Sequence, residues 1–186
     1  MSTNRAAQAA AYWQPIMLRA LVAAVFGALT IFWQEPGEAV MAVAGGLYLL
    51  LSGAAVWMLS RRSEAAEYRT LLTLQAGSFA VAGLLAMALQ APPTFTILAT
   101  AALLIGGGAE LVLWWQNRGE QGSVLAKDWL ITGAVSVGFG VAMPFFTHLG
   151  AHALLGVLGG SAIIIAVVLG IAALSYRFDA RKAAAA

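Results

Sequence analysis

The sequence predicts an all-α integral membrane protein with six transmembrane helices, arranged as three helical hairpins. Three observations predict this class. Of the 186 residues, 61% are hydrophobic and only 10% are charged, whereas a typical soluble domain carries about 25% charged residues. The apolar residues form runs close to the roughly 20 residues that a helix needs to cross a bilayer. The basic residues lie only between alternate runs and towards the two ends of the chain.

The apolar runs define the predicted spans and domains. Helices are expected because lipid offers no partner to unpaired backbone groups, and the two-residue alternation of barrel strands does not appear. The first run is long and lacks a clear cleavage site, so it is predicted to stay as a span. The predicted spans are 16–33, 39–59, 71–90, 95–115, 129–147 and 150–174. They group into a tail at 1–15, hairpins at 16–62, 71–118 and 129–177, and a tail at 178–186.

The ten basic residues set the predicted orientation. The turns between spans one and two, three and four, and five and six contain no Lys or Arg. The basic residues are Arg5, Arg19, Arg61, Arg62, Arg69, Arg118, Lys127, Arg177, Arg181 and Lys182. By the positive-inside rule, both termini are predicted to be cytoplasmic.

The stretch "FWQEPGEAV" at 32–40 is the predicted external turn of the first hairpin. Pro36 and Gly37 interrupt the helix and permit the turn. Glu35 and Glu38 are compatible with the external side because acidic residues contribute little to orientation.

Small residues indicate how the helices pack. Lipid supplies no hydrophobic force between helices, so close backbone approach at small residues holds them together. We expect helix contacts at Gly27, Gly46, Gly53, Gly83, Gly138, Gly140, Gly156, Gly160 and Gly170. The two stripes of small residues on span six suggest contacts on two sides, the second being either within the chain or with another protein.

The three hairpins also resemble one another, at a spacing of about 57 residues. Gly27, Gly83 and Gly140 occupy matching places in the odd spans, and Pro36 matches Pro92 in the turns. Each copy ends in a basic residue, namely Arg62, Arg118 and Arg177.

Each hairpin pattern has a glycine in the odd-numbered helix, then an aromatic residue and a Pro-Gly turn, then an apolar helix with spaced glycines (Gly46 and Gly53 in the first copy). In this pattern the chain resembles the HdeD-like family of bacterial membrane proteins. The resemblance spans residues 18–177. It departs from the family pattern where Gln34-Glu35 is inserted before Pro36 and where "PP" or "FFTHLGAH" replaces Pro-Gly. It implies a six-helix bundle, a bacterial plasma membrane location and a link to acid resistance, and it implies no catalytic residues.

Glu110 is the one acidic residue clearly inside a predicted span. Intramembrane ionisable residues are functional candidates by default. The sequence favours a structural pair with Arg19, Arg118 or a neighbouring hydroxyl, and proton or ion chemistry and contact with a partner are the alternatives. For Arg19, near the start of span one, the sequence favours a side chain that reaches the inner headgroups.

His148 and His152 lie four residues apart on an external turn. They are weak candidates for a metal site and for a response to external acidification, and ordinary turn residues are the favoured interpretation. The chain has no cysteine, and no zinc motif, phosphate loop or nucleophile–base arrangement is present. We therefore expect no metal site, no cofactor, no enzymatic activity and no catalytic residue.

Three function classes remain. The favoured class is a non-enzymatic HdeD-like membrane protein in envelope or acid stress. The alternatives are an accessory subunit of a larger respiratory or transport complex, and a small transporter or channel. The expected partners are the lipid bilayer and either another membrane protein or further copies of the chain. Nucleic acid is not expected, because no basic patch with aromatic residues is present.

Overall fold

A computed structural model describes residues 3–63, 66–119 and 123–184. At residues 3, 4, 66 and 67 it describes the backbone alone. The ends of the predicted tails, at 1–2 and 185–186, lie outside these ranges. The described residues form helices and short connections, with no strand among them. In chain order the elements are α1 (Thr3–Phe32), α2 (Glu38–Arg62), α3 (Ala66–Leu89), α4 (Pro92–Asn117), α5 (Ala126–Ala142), a 3₁₀ segment (Met143–Leu149) and α6 (Gly150–Ala184).

Long apolar helices dominate the described chain, as the sequence predicts. Five stretches are long and apolar enough to cross a membrane, and the last of them contains α5, the 3₁₀ segment and α6. These stretches are Arg5–Phe32, Glu38–Arg62, Tyr68–Leu89, Pro92–Asn117 and Ala126–Ala184. The protein is therefore an all-helical protein of membrane type.

The helices end where proline and glycine disturb the backbone. Gly37 precedes α2 in an extended conformation, and Pro92 occupies the first turn of α4, where its missing N–H is not needed. Pro144 lies at the start of the 3₁₀ segment that follows α5. Gly150 then adopts φ 82°, a left-handed conformation that glycine tolerates best, so the helical axis breaks there.

The most extensive helix contacts join helices of different predicted hairpins. Helix α1 packs mainly on α6, α2 on α3, and α4 on both α5 and α3. Within the first and third predicted hairpins, the contacts α1–α2 and α5–α6 are smaller. A groove of about 340 Å³ lined by apolar side chains lies between α1 and α2. The even-numbered helices α2, α4 and α6 also touch one another. The bundle is thus held together largely across the predicted hairpins.

Two reciprocal glycine contacts show how closely the backbones approach. A Cβ atom added at Gly83 would lie 2.5 Å from the carbonyl oxygen of Gly46, and one at Gly46 would lie 2.7 Å from that of Gly83. Gly107 and Gly133 repeat this arrangement between α4 and α5, at 2.8 and 2.9 Å. These distances leave no room for a side chain.

The other predicted packing glycines divide into two groups. Added Cβ atoms would meet a neighbouring helix within 3.2 Å at Gly27, Gly53, Gly140 and Gly160. Open space surrounds Gly138, Gly156 and Gly170, so the helix contacts expected there are not made within the chain. Gly138 and Gly156 are exposed on α5 and α6, and Gly170 is half-buried.

Candidate functional site

A buried ion pair lies in the core of the bundle. The guanidinium of Arg19 on α1 pairs with Glu110 Oε1 on α4, and the two residues are 8% and 0% exposed. Arg19 is one of the partners with which the sequence predicts a structural pair for Glu110. The expectation that Arg19 reaches the headgroups is wrong, because its side chain turns inward to the carboxylate.

Gln75 on α3 completes the centre of this site. Its Nε2 donates a hydrogen bond of 2.8 Å to Glu110 Oε1, the same oxygen that binds Arg19. Gln75 Oε1 and Glu110 Oε2 are both buried and have no hydrogen-bond partner. Unpaired polar atoms in a low-dielectric interior are costly, and those in native structures need an explanation.

Glycines give this centre its space. An added Cβ at Gly106 would lie 3.2 Å from Gln75 Cγ, and one at Gly133 would lie 3.1 Å from Glu110 Cβ. An added Cβ at Gly107 would lie 2.8 Å from Ser136 Cβ on α5. The "GGG" run before Glu110 therefore lets α3 and α5 approach α4 around the carboxylate.

Further polar side chains extend the site, and we call the resulting region the polar half of the core. Tyr48 lies within electrostatic reach of both Arg19 and Glu110 and close to the Ser52 and Ser161 side chains. The hydroxyls of Ser52 and Ser136 are buried without partners. The members of this half are Arg19, Tyr48, Ser52, Gln75, Glu110, Thr132, Ser136 and Ser161, all buried.

Another part of the core is filled by apolar side chains, and we call it the apolar half. It lies towards the turn that carries Glu35 and Glu38, which we call the acidic end of the bundle. Its largest buried side chains include Phe26, Met41, Phe95, Met143, Leu154 and Leu158. Polar groups near it are threonines, with a 3.2 Å hydrogen bond between Thr147 and Thr96.

The opposite end, which we call the basic end, carries most of the arginines and a layer of polar contacts. Arg62 donates to the Ala11 carbonyl at 2.9 Å and to Gln14 at 2.8 Å. The single O–H of Tyr176 on α6 is shared between two acceptors, Asp128 Oδ2 at 2.5 Å and the Val124 carbonyl oxygen at 2.9 Å. Arginine guanidinium groups stack on tryptophans in three pairs, Arg61–Trp57, Arg118–Trp115 and Arg177–Trp13.

A small cavity lies beside Arg19, on the side of the ion pair that faces the basic end. Its volume is about 20 Å³, and α1, α2, α5 and α6 contribute its walls. Arg19, Asp128 and Thr132 supply the polar part of the lining. About 10–15 Å³ is enough to hold one water molecule, so water fits between Asp128 and the ion pair.

The other sequence candidates lie apart from this centre. His148 and His152 are exposed, as are Glu35, Gly37 and Glu38, whereas Pro36 is buried. Within the described ranges, no group of three or more His, Asp or Glu residues is placed to hold a metal ion. The candidate site is therefore the buried ion pair and its polar surroundings.

Sequence analysis named Arg19 and Glu110 and missed the other six members of the polar half, which are Tyr48, Ser52, Gln75, Thr132, Ser136 and Ser161. Each is an isolated polar residue in an apolar span, which by itself gives no signal. Their side chains come together only because the helices cross at glycines. No protein-family model, curated protein sequence or solved structure matches the chain.

Proposed function

We propose that the chain is a six-span protein of the bacterial plasma membrane, built from three hairpins with both termini in the cytoplasm. The apolar stretch Ala126–Ala184 is 59 residues long, which as one straight helix would extend about 90 Å. That is about three times the thickness of the hydrocarbon core. The break at Gly150 and the contact of α6 with both α1 and α5 support two crossings in this stretch.

The charges support the orientation. Arg62, Arg69, Arg118 and Arg177 lie at or near the ends of α2, α3, α4 and α6 that make up the basic end, and Lys127 begins α5 beside them. The opposite turns carry Glu35 and Glu38 and no basic residue. The positive-inside rule assigns the basic end to the cytoplasm.

For its role, we propose a non-enzymatic HdeD-like protein that acts in envelope or acid stress. The buried Arg19–Glu110 pair is the observation that carries this proposal. A bundle that only anchors in lipid gains little from a buried ion pair, since removing two charges from water costs several kcal/mol per ion. A carboxylate at this position gives the bundle a group that acid can neutralise, and neutralisation weakens the pair that joins α1 to α4.

Acid survival tests this role. In a host strain that lacks its own copy, wild-type protein should restore survival in acid and Glu110→Gln should not. Glu38→Gln, which removes an exposed carboxylate instead, should restore survival fully, with equal membrane levels of all three proteins checked by immunoblot. Equal acid survival of the strain with and without the wild-type protein would exclude the stress role.

An accessory subunit of a larger complex is the second candidate, and the outer side of α5 and α6 favours it. Ala134, Gly138 and Gly156 are exposed there. A Cβ atom added at either glycine would have no neighbouring atom within 4 Å. Small residues facing outward in a membrane permit close approach of another helix. Purification of the endogenous protein in mild detergent, with mass determination, tests this candidate. Stoichiometric recovery with a larger complex supports it, and recovery as a single chain removes it.

A further inference from the structure

We propose that Glu110 Oε2 is a proton-binding site that water serves from the basic end through the cavity beside Arg19. The inference rests on the six-span arrangement proposed above and deepens it, because it names the ligand of the buried site and the side from which the ligand arrives. The proton converts the Glu110 carboxylate to a carboxylic acid, and a water molecule delivers it.

The hydrogen bonds around Glu110 lack one donor. Gln75 Nε2 already donates to Glu110 Oε1 at 2.8 Å, while Gln75 Oε1 and Glu110 Oε2 remain unpaired. An amide oxygen and a carboxylate oxygen only accept hydrogen bonds, so neither can satisfy the other. A proton on Oε2 supplies an O–H donor, and the acid can then close a ring of two hydrogen bonds with the Gln75 amide.

The charges around Glu110 also favour the binding of a proton. Arg19, Glu110 and Asp128 are the charged residues around the cavity and the ion pair, and together they leave one negative charge uncompensated. One added proton makes this group neutral. A neutral group is favoured in a medium of low dielectric constant.

The titratable and charged neighbours come from several helices. Arg19 on α1, Tyr48 on α2 and Asp128 on α5 lie within electrostatic reach of Glu110 or bind it, and α3 contributes the neutral Gln75. On α6, Tyr176 binds Asp128 and Asp179 acts on Tyr176. Arg19 stays beside Glu110 Oε1 and across the cavity from Asp128, so its charge keeps a carboxylate neighbour after Glu110 is neutralised.

The cavity provides the route. At about 20 Å³ it holds one water molecule, with Arg19, Thr132 and Asp128 as polar neighbours. Asp128 lies in the first turn of α5 at the basic end, whereas the apolar half closes the other side of the site. The proposed route for water and protons therefore runs from the basic end, past Arg19, to Glu110.

Infrared spectroscopy of the protein reconstituted in liposomes tests proton binding. On acidification, wild-type protein should gain a carboxylic acid C=O band that shifts in D₂O, and Glu110→Gln should lack it entirely. Gln75→Leu should keep the band at a shifted frequency, because the acid loses its amide partner. Glu38→Gln, which removes an exposed carboxylate away from the site, is the control and should keep the Glu110 band.

Silver-ion modification tests the route, since the chain has no cysteine of its own and silver ions are close to water in size. Thr132→Cys, which lines the cavity, should react with silver ions added at the basic end and not with ions added at the acidic end. Ala55→Cys, on the facing wall, is the second probe. Gly37→Cys and Lys127→Cys mark the two ends.

The outcomes separate the two proposals. Absence of a Glu110-dependent band over the full range in which the protein stays folded would overturn proton binding, whatever the acid-survival result. Reaction of Thr132→Cys and Ala55→Cys only from the acidic end, or from neither side while Lys127→Cys reacts, would overturn the route. Reaction of Gly37→Cys and Lys127→Cys on the same side would instead overturn the six-span arrangement, and a failed survival test alone would remove only the stress role.

Discussion

The polar half and the apolar half of the core hold the same helices together by different forces. In the polar half, an ion pair and hydrogen bonds connect Arg19, Gln75 and Glu110 across three helices, and several polar atoms remain unpaired. In the apolar half, side chains such as Phe95 and Met41 fill the space, and α2 meets α3 at Gly46 and Gly83. The apolar half is therefore the scaffold, and the polar half holds chemistry that the scaffold does not need.

The largest expected effect comes from breaking the ion pair on one side. Arg19→Leu leaves Glu110 buried and unpaired, and we expect it to lower the free energy of unfolding by about 3–5 kcal/mol. The double variant Arg19→Leu/Glu110→Leu removes both charges and should recover most of this loss. Unfolding of the reconstituted protein in increasing SDS, followed by tryptophan fluorescence, measures both. A single variant as stable as the wild type would show that the pair contributes nothing to the fold.

A glycine substitution tests the apolar half in the same assay. In Gly83→Ala the new methyl group meets the Gly46 carbonyl and the Leu50 backbone nitrogen, at 2.5 and 2.9 Å, and backbone atoms cannot move away cheaply. We expect a loss of about 1–3 kcal/mol. Gly138→Ala is the matched control, because it adds the same methyl group where nothing lies within 4 Å. Equal effects of the two substitutions would contradict the close approach of α2 and α3.

Hydrogen bonds at the two ends of the bundle should differ in strength. Tyr176→Phe removes the bonds to Asp128 and Val124, and we expect a loss of about 1–2 kcal/mol because one acceptor is charged. Thr147→Val removes the bonds to Thr96 and to the Pro144 carbonyl. Both partners are neutral, and the substitution should cost about 0.6 kcal/mol or less. Thermal unfolding in detergent compares the two. A larger loss for Thr147→Val would reverse the ranking of the two ends.

The smallest effect concerns a strained residue at the acidic end. Gln90 has φ 49° between α3 and α4, and a left-handed conformation costs an L-residue about 1–2 kcal/mol. Gln90→Gly relieves this strain, although glycine loses more backbone entropy on folding. We expect a net gain of about 0.5 kcal/mol, visible as a small rise in the thermal midpoint. A fall in the midpoint would mean that the Gln90 side chain contributes more than its backbone strain costs.

The sequence alone predicts the scaffold well, because apolar run length and helix-breaking residues are local signals. Predicted span 39–59 falls within α2 (Glu38–Arg62), and predicted span 95–115 falls within α4 (Pro92–Asn117). The helix boundaries within 126–184 are harder to predict from the sequence, because helical structure continues through the 3₁₀ segment and only Gly150 marks the break. The glycine contacts are partly predictable, since a glycine on a helix shows that space is available but not which side the neighbour occupies.

The candidate site is less predictable, because its members are far apart in the chain. Glu110 stands out as an acidic residue in an apolar run, and Arg19 is on the short list of its partners. Headgroup contact is the favoured expectation for Arg19 because it lies near the predicted start of the first span, yet α1 extends from Thr3. Gln75 has no local signal at all, and its role appears only when α3 packs against α4.

The separation of Arg19 and Glu110 in the chain has a consequence for biosynthesis. Arg19 lies in α1, and its partner Glu110 follows 91 residues later. At about 5–20 residues per second, roughly 5–18 s pass between the synthesis of Arg19 and that of Glu110. Helix α6 is also the main packing neighbour of α1. Until α4 is made, the Arg19 guanidinium has no Glu110 carboxylate to pair with. A charge left alone in hydrocarbon is costly, so release of α1 into lipid before α4 is disfavoured.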